Sequence, residues 1–419
     1  MTPDVRTRSV LVIGDGIAGL AAAIALHRAL PGAQVKLVML ALGDGGWINR
    51  LGAAPPLLAR FHRQIGLEAA LFHRRCSANA VRLRHYLTHG RSTVREACTS
   101  AIPFVEGVAL HQLWLRSIAS EPFATPDFAA LLLQLREANE EEGGFGTRYD
   151  AIAYQALLTE MAAALGIERV DVAHIDIDVN DATVRAIVTD GGVRLQADLY
   201  VDTAGPHSRL LEATGVGWVD WSHFLPGMAL SVDQRRHTTA GEEIIESRVD
   251  GVSWQTTAWT AFLAPDETAA PSGRMACFWQ RNVVAIGDAA AHVPVIDGAK
   301  FGRALEDILR IIALLARPGR SERAQQEYER RTMIAYESLL AWTSLSAAQV
   351  DAARPASLAS ILDAFAARGR VATIELDPTT PGEWLARLMT LGPKPQRIDP
   401  TAWALPEDIV RSTIARART

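Results

Sequence analysis

Ser9-Val10-Leu11-Val12-Ile13, followed by Gly14-Asp15-Gly16-Ile17-Ala18-Gly19, reads as a short apolar strand running into a glycine turn, with an Ala-rich helix from Leu20 to Leu30. In such a turn Gly14 permits the tight reversal, Gly16 lets the backbone approach a pyrophosphate, and Gly19 lets helix and strand pack closely. Phosphates then sit on the positive N-terminus of the helix. A glycine turn after a strand is common without any nucleotide, so this stretch decides little alone. Two later segments change the reading. Asn282 to Ile286 is a late strand, and it runs into Gly287-Asp288-Ala289-Ala290-Ala291-His292, where Asp288 is placed to hydrogen-bond sugar-type hydroxyls. Pro294 and Gly298 lead from it into a helix whose N-terminus would face the electron-rich edge of a flavin ring. Between the two lies Asp202-Thr203-Ala204-Gly205. The three segments in this order describe an FAD-binding domain assembled from distant parts of one chain, with the FAD held non-covalently.

Size and charge narrow the class. The 419 residues exceed one typical domain, so two intimately joined domains are expected. A net charge of −5 with acids and bases interspersed gives no case for nucleic acid or an anionic membrane. Lysine occurs only at Lys36, Lys300 and Lys394, which limits the residues able to act as a catalytic amine. Cys76, Cys98 and Cys277 are odd in number, widely spaced and without a C-x-x-C, which argues against disulfides and a metal site and for a reducing cytoplasm. Arg6 and Arg8 precede apolar residues as in a signal peptide, but Gly14-Asp15-Gly16 interrupts them. No run reaches the ~20 apolar residues of a membrane span. The nearest, Ile308 to Ala316, contains Arg310 and reads as a buried helix.

Along the chain, Gln34 to Leu40 is a second strand, followed by Gly43-Asp44-Gly45-Gly46 and the Pro55-Pro56 boundary. Leu57 to Ile65 and Tyr149 to Leu165 carry apolar residues at helical spacing. Alternating runs from Val170 to Val188 and from Val193 to Leu195, turning at Asp190-Gly191-Gly192, look like a small β-meander. Leu199-Tyr200-Val201 returns to the parallel sheet. Glu140-Glu141-Glu142 is a solvated loop, and Arg320 to Arg331 is a charged helix face. The expected organisation is a discontinuous FAD-binding domain (1–75, 148–210 and 275–330), a substrate domain (76–147 and 211–274) and a helical C-terminal region (331–419).

Over roughly residues 8–330 the motif order resembles the FAD-dependent tryptophan halogenase-like monooxygenases. Asp220-Trp221-Ser222 with Leu225-Pro226, and Phe61 to Leu67 followed by Asn79-Ala80-Val81-Arg82-Leu83, look like segments of that family. The resemblance implies an α/β fold with a Rossmann-like FAD domain of the flavin hydroxylase (GR2-like) type, an inserted β-rich substrate domain and a helical C-terminal region. It also implies that FAD is held at Gly14, Gly16, Gly19, Asp202, Gly205 and Asp288. Three departures stand out. The halogenases place in the strand a lysine that handles hypohalous acid, and here that residue is Arg82, whose guanidinium stays protonated and is a poor nucleophile. The family's Trp-x-Trp-x-Ile-Pro reads Trp254-Gln255-Thr256-Thr257-Ala258-Trp259. At the end of the Gln34 to Leu40 strand the family's ribose-binding acid is replaced by Met39, so that either Asp44 substitutes for it or that hydrogen bond is absent. The family's active-site carboxylate aligns with Asp297. Relatives without the lysine include monooxygenases that hydroxylate a tryptophan inside a partner polypeptide during tryptophylquinone biogenesis, and this chain looks similar to those.

Each candidate has a plain structural alternative. Asp297 is a general base or orienter for an indole, or a helix N-cap before Gly298. Arg82 binds a substrate carboxylate or carbonyl, or makes a salt bridge on a sheet face. Lys300 in the first helical turn stabilises negative charge on reduced flavin, or is a surface lysine. His292 is more often a supporting or core histidine than a catalyst, and Trp218, Trp221, Trp254 and Trp259 line an aromatic pocket or form core. The expected activity is hydroxylation of an indole through a flavin C4a-hydroperoxide formed with O2, on a tryptophan in a partner polypeptide. Reducing equivalents would come from NAD(P)H directly or through a flavin reductase. The alternatives are a tryptophan or indole halogenase and, from another class, a non-catalytic flavoprotein assembly factor.

Overall fold

The computed structural model describes residues 7–14, 16–40, 47–89, 92–96, 101–120, 128, 131–132, 145–233, 242–248, 251–256, 259–296, 298–315, 322–346, 353–371 and 379–415. The chain divides into two compact units. The first comprises Met1–Val81, Gly146–Ser231 and Leu263–Met333. Its elements include β1 (Ser9–Ile13), α1 (Gly16–Ala29), β2 (Gln34–Leu40), α2 (Leu57–Ile65), α3 (Ala151–Ala164), β3 (Glu168–Val172), β4 (Leu199–Asp202), β5 (Trp279–Gln280), β6 (Val283–Ala285) and α4 (Ala299–Leu315).

One sheet, in the order β5-β6-β4-β1-β2-β3, organises this unit. It is parallel throughout except for the antiparallel β5–β6 edge. β1 lies inside because Val10, Leu11, Val12 and Ile13 are consecutive apolar residues and can bury both faces of a strand, as a parallel sheet requires. α1 is apolar all round, with Ala21, Ala22 and Ala23 fully buried, and it packs against α3 and α4. Small side chains on every face suit a helix enclosed by other elements. The mixed α/β fold with a Rossmann-like parallel sheet agrees with the sequence expectation.

Local corrections have physical causes. α1 begins at Gly16 rather than Leu20, so Gly16 and Gly19 belong to its first turn. Glu168–Val172 leaves the expected meander and pairs in parallel with β2, Val170 opposite Val38 and Asp171 opposite Met39. Alternation alone does not tell an edge strand of a parallel sheet from a hairpin strand. The meander proper is Ile175–Asn180, Thr183–Thr189 and Arg194–Leu195. Its first turn places Asp181 and Ala182 in the left-handed region, φ 49° and 55°, as a two-residue hairpin requires.

The second unit comprises Arg82–Phe145, Val232–Phe262 and Ile334–Thr419. Residues 82–87 pair in parallel with Glu242–Arg248, which pairs antiparallel with Gly251–Gln255. Leu110, Leu345, Leu358, Phe365 and Trp384 share one apolar cluster, so the C-terminal helices pack with the 82–145 segment rather than forming a region apart. The unit boundaries at 231/232 and 262/263 differ from the expected 210/211 and 274/275. The cause is a three-stranded sheet of Trp218–Asp220, Gly273–Met275 and Ala291–His292, which keeps those flanks in the first unit. Among the described residues no helix is long and apolar enough to cross a membrane, and no cluster of His, Cys, Asp and Glu is arranged for a metal ion.

Candidate active site

The three sequence segments meet at the ends of β1, β4 and β6, within the first unit. Gly14 has φ 149° and donates its N–H to Val38 O at 3.0 Å. A Cβ there would stand 2.0 Å from Thr203 Oγ1, so the position admits only glycine. Thr203 itself donates Oγ1–H to Ile13 O at 2.9 Å, which fixes the β4 turn under the β1 turn. Gly16, φ 82°, is confined by the Asn49 amide, since a Cβ would lie 2.1 Å from Nδ2. Asn49 Oδ1 also accepts from Ile17 N at 2.9 Å, at the N-terminus of α1. No sequence motif singled out Asn49, because it is 32 residues from its partner. Gly19 faces Thr203 Oγ1, 3.1 Å from where its Cβ would be, in agreement with the close-packing role expected of it.

Asp202, expected to hold the cofactor, has its carboxylate occupied within the chain. It is 1% exposed and accepts from Ser208 Oγ at 2.6 Å, Ala204 N at 2.9 Å and Leu210 N at 3.4 Å. Burial pushes its pKa up, against those hydrogen bonds. Asp202 therefore shapes the 203–208 turn from below. Gly205 lies in that turn with φ 79°, and His207 follows at φ 64° with its ring tilted by 34° to that of Trp218, the centroids 3.8 Å apart.

The third segment is built around a charged cluster. Gly287, φ 60°, donates its N–H at 3.0 Å to Asp307 of α4, a buried carboxylate also held by Arg310 at 2.7 Å. Lys300 is not a surface lysine. Its side chain is 6% exposed, and Nζ donates to Asp288 Oδ1 and Oδ2 at 2.9 and 3.0 Å. The same Nζ lies 3.2 Å from His292 Nδ1, while that nitrogen is 3.8 Å from Asp288 Oδ1. Burial raises the pKa of Asp288, but the Lys300 charge and then the neighbouring His292 together outweigh it and leave the carboxyl well below the usual range. Burial, and then the Lys300 charge, hold His292 below the ordinary histidine value. Burial lowers Lys300 too, with Asp288 opposing it. Asp288 was expected to meet sugar hydroxyls; here a lysine already engages both of its oxygens.

Pro294 is buried in a turn closed by Val295 N donating to Val293 O at 2.9 Å. Gly298 and Gly302 lie one helical turn apart at the start of α4. A Cβ on the first would meet Ala54 backbone at 2.8 Å, and on the second Pro55 Cγ at 2.9 Å. The two glycines thus set the N-terminus of α4 directly against the Ala53–Pro55 segment. A small pocket there is lined by Leu51, Ala53, Val295, Ile296, Phe301 and Lys300. Asp44 and Asp297 lie outside the described residues. Arg82 sits opposite Glu242 in its strand, and only its backbone is described.

The geometry fits a dinucleotide. Two left-handed glycines close the turn after β1 tightly against Thr203 and Asn49, and the α1 N-terminus, a place for a phosphate, follows at once. The Tryptophan halogenase family profile matches residues 9–249 and 255–407. Tryptophan 7-halogenase KtzQ from Kutzneria sp. (strain 744) is 25% identical over 242 residues, 50% of this chain and 44% of that protein, so the match spans less than half of that relative's length. Two solved structures share the fold: BrvH, a flavin-dependent halogenase from Brevundimonas sp. BAL3, and Xcc4156, a flavin-dependent halogenase from Xanthomonas campestris. The first has TM-score 0.81 at 21% identity, covering 99% of this chain and 96% of that one. The second has TM-score 0.83 at 19% identity, covering 99% and 95%. The chain belongs to the tryptophan halogenase family.

Proposed function

We propose that this chain is an FAD-dependent enzyme that halogenates an indole ring, the alternative activity weighed from the sequence. The observation that carries the reading is the family match, which runs through the whole three-part dinucleotide site and continues to residue 407. Gly14, Gly16 and Gly19 would hold the cofactor's phosphates, with Asp288 and the Pro294–Gly298 turn nearer its other end. The bound, reduced flavin supplies the activation of O2. The chain's own part is to exclude water, through the apolar wall of Leu51, Val295, Ile296 and Phe301, and to hold charge in a fixed place, through Lys300 and Asp288.

A second reading, hydroxylation, is favoured by one observation: no lysine occurs between Asn79 and His89, where Arg82 stands in the expected position. A guanidinium that stays protonated does not form a haloamine readily. We further assign as substrate a tryptophan side chain within a polypeptide. The lost Trp-x-Trp-x-Ile-Pro segment suggests a remodelled substrate side, and a peptide removes the two charges of free tryptophan that would each need a buried partner. One experiment separates the readings. The protein is supplied with FAD, a flavin reductase, NADH, O2 and bromide, and offered free tryptophan, indole and tryptophan-containing peptides. Mass spectrometry should show bromine added to the ring, in an enzyme-dependent way that survives a scavenger of free hypobromite. Added oxygen with no bromine assigns the chain to hydroxylation. FAD that is bound without any product supports the assembly-factor reading.

A further inference from the structure

Asp288, Lys300 and His292 lie within reach of one another, and the roles of the contacts among them follow from their chemistry. An ammonium has three N–H donors and no lone pair, so any nitrogen it bonds must accept. Lys300 Nζ reaches both Asp288 oxygens at 2.9 and 3.0 Å and His292 Nδ1 at 3.2 Å. The competing arrangement, Nδ1–H donating to Asp288, spans 3.8 Å and is too long for a hydrogen bond. His292 is 5% exposed and anchored through its strand pairing with Gly273. Among the described residues, the charged or titratable groups that act on it are Asp288, Lys300 and, from the 203–208 turn, His207. Arg274, on the neighbouring strand, donates to Met275 O.

We propose that Lys300 is a positioning residue: clamped on Asp288, its ammonium fixes His292 as the Nε2–H tautomer. The reactive consequence rests on the family activity proposed above, but the tautomer does not. In that arrangement Lys300 is withdrawn as an amine that carries halogen, because an ammonium directed at three acceptor atoms has no lone pair to give. A pair that merely tied α4 to the Gly287 turn would make no choice between the two imidazole nitrogens.

The test is nitrogen-15 NMR of the full chain labelled on histidine, at neutral pH, with the His292 signals assigned by their loss in His292→Gln. The wild type should show neutral imidazole protonated on Nε2. Lys300→Met should move the proton to Nδ1, where Asp288 is then the nearest charge, and Lys300→Arg should restore the wild-type pattern. Lys300→Leu, which also removes the ammonium, should move the proton in the same way, and it serves if Lys300→Met does not fold. A wild-type His292 protonated on Nδ1, or one indifferent to Lys300→Met, overturns the proposal. With a turnover assay in hand, Lys300→Met should lose about 10- to 100-fold, the cost of removing an orienting partner at other sites, and Lys300→Arg should keep most of the rate. Loss of all halogenation in Lys300→Arg, with the wild-type tautomer intact, would make Lys300 the halogen carrier. The NMR arm needs neither substrate nor turnover, so it stands if the assigned reaction fails.

Discussion

At the scale of single residues, much of what holds the candidate site is conformational. Gly14 combines φ 149° with a Cβ position 2.0 Å from Thr203 Oγ1. Gly14→Ala should therefore cost roughly 2–4 kcal/mol through strain and displacement of Thr203. Urea denaturation should show the loss, and FAD uptake, read from flavin absorbance, should fail with it. Away from the site, His62 is 4% exposed and 2.9 Å from Tyr154 OH, and burial, then the charge of His73, lowers its pKa from 6.5 to about 4. Because the folded-state value lies below the ordinary one, the neutral ring favours the folded state in full above pH 6.5, and that contribution is lost as the pH falls toward 4. The size is about 3 kcal/mol for this histidine. His111, lowered to about 4 by burial, acts in the same window. His62→Gln should flatten the acid limb of stability against pH. An unchanged slope between neutral pH and pH 5 would count against that assignment.

At the scale of elements, the meeting of α4 with the Ala53–Pro55 segment decides where the charged turn sits. Gly298→Ala should be the more damaging change, because its Cβ would meet rigid backbone, with Ala54 Cα, C and N at 2.8 to 2.9 Å. Gly302→Ala meets a proline ring carbon at 2.9 Å and nothing else within 3.3 Å, so the ring can give way. We expect losses of about 2–3 kcal/mol for the first and about 1 kcal/mol for the second in thermal or urea unfolding, with weaker FAD binding tracking the order. Equal effects would mean that the close approach is not what places α4. The elements themselves were legible in sequence where local signal is strong: Ser9–Ile13, Gln34–Leu40 and Leu57–Ile65 fall on the expected residues. What escaped was set by partners remote in sequence. Asn49 on Ile17, Asp307 on Gly287 and Lys300 on Asp288 are pairings 32, 20 and 12 residues apart, and no periodicity reports them. The motif residues Asp202 and Asp288 were visible, but their actual partners, Ser208 and Lys300, were not.

At the scale of the molecule, the scarcity of lysine turns a question about chemistry into a small experiment. If transfer of halogen needs an amine on this chain, it must be one of three. Lys36 lies in β2 beside its neighbour Glu168 of β3, with an ion pair of 2.7 Å, and Lys394 is exposed near the C-terminal helices. Neither belongs to the three-part site. Exposed ion pairs contribute about 1 kcal/mol at most, so arginine at both positions should leave the fold intact. Lys36→Arg/Lys394→Arg should therefore retain the wild-type product, bromide incorporation and rate within about twofold, since neither side chain enters the reaction. Lys300→Arg added to that background produces a chain without a single lysine. If this chain still brominates, the halogen reaches the ring without a lysine adduct. If it loses bromination but gains or keeps oxygen insertion, the family's usual amine has been replaced by Lys300, and the ion pair with Asp288 must open during turnover. Retention of both FAD and secondary structure, measured by absorbance and circular dichroism, is the condition under which either outcome is read.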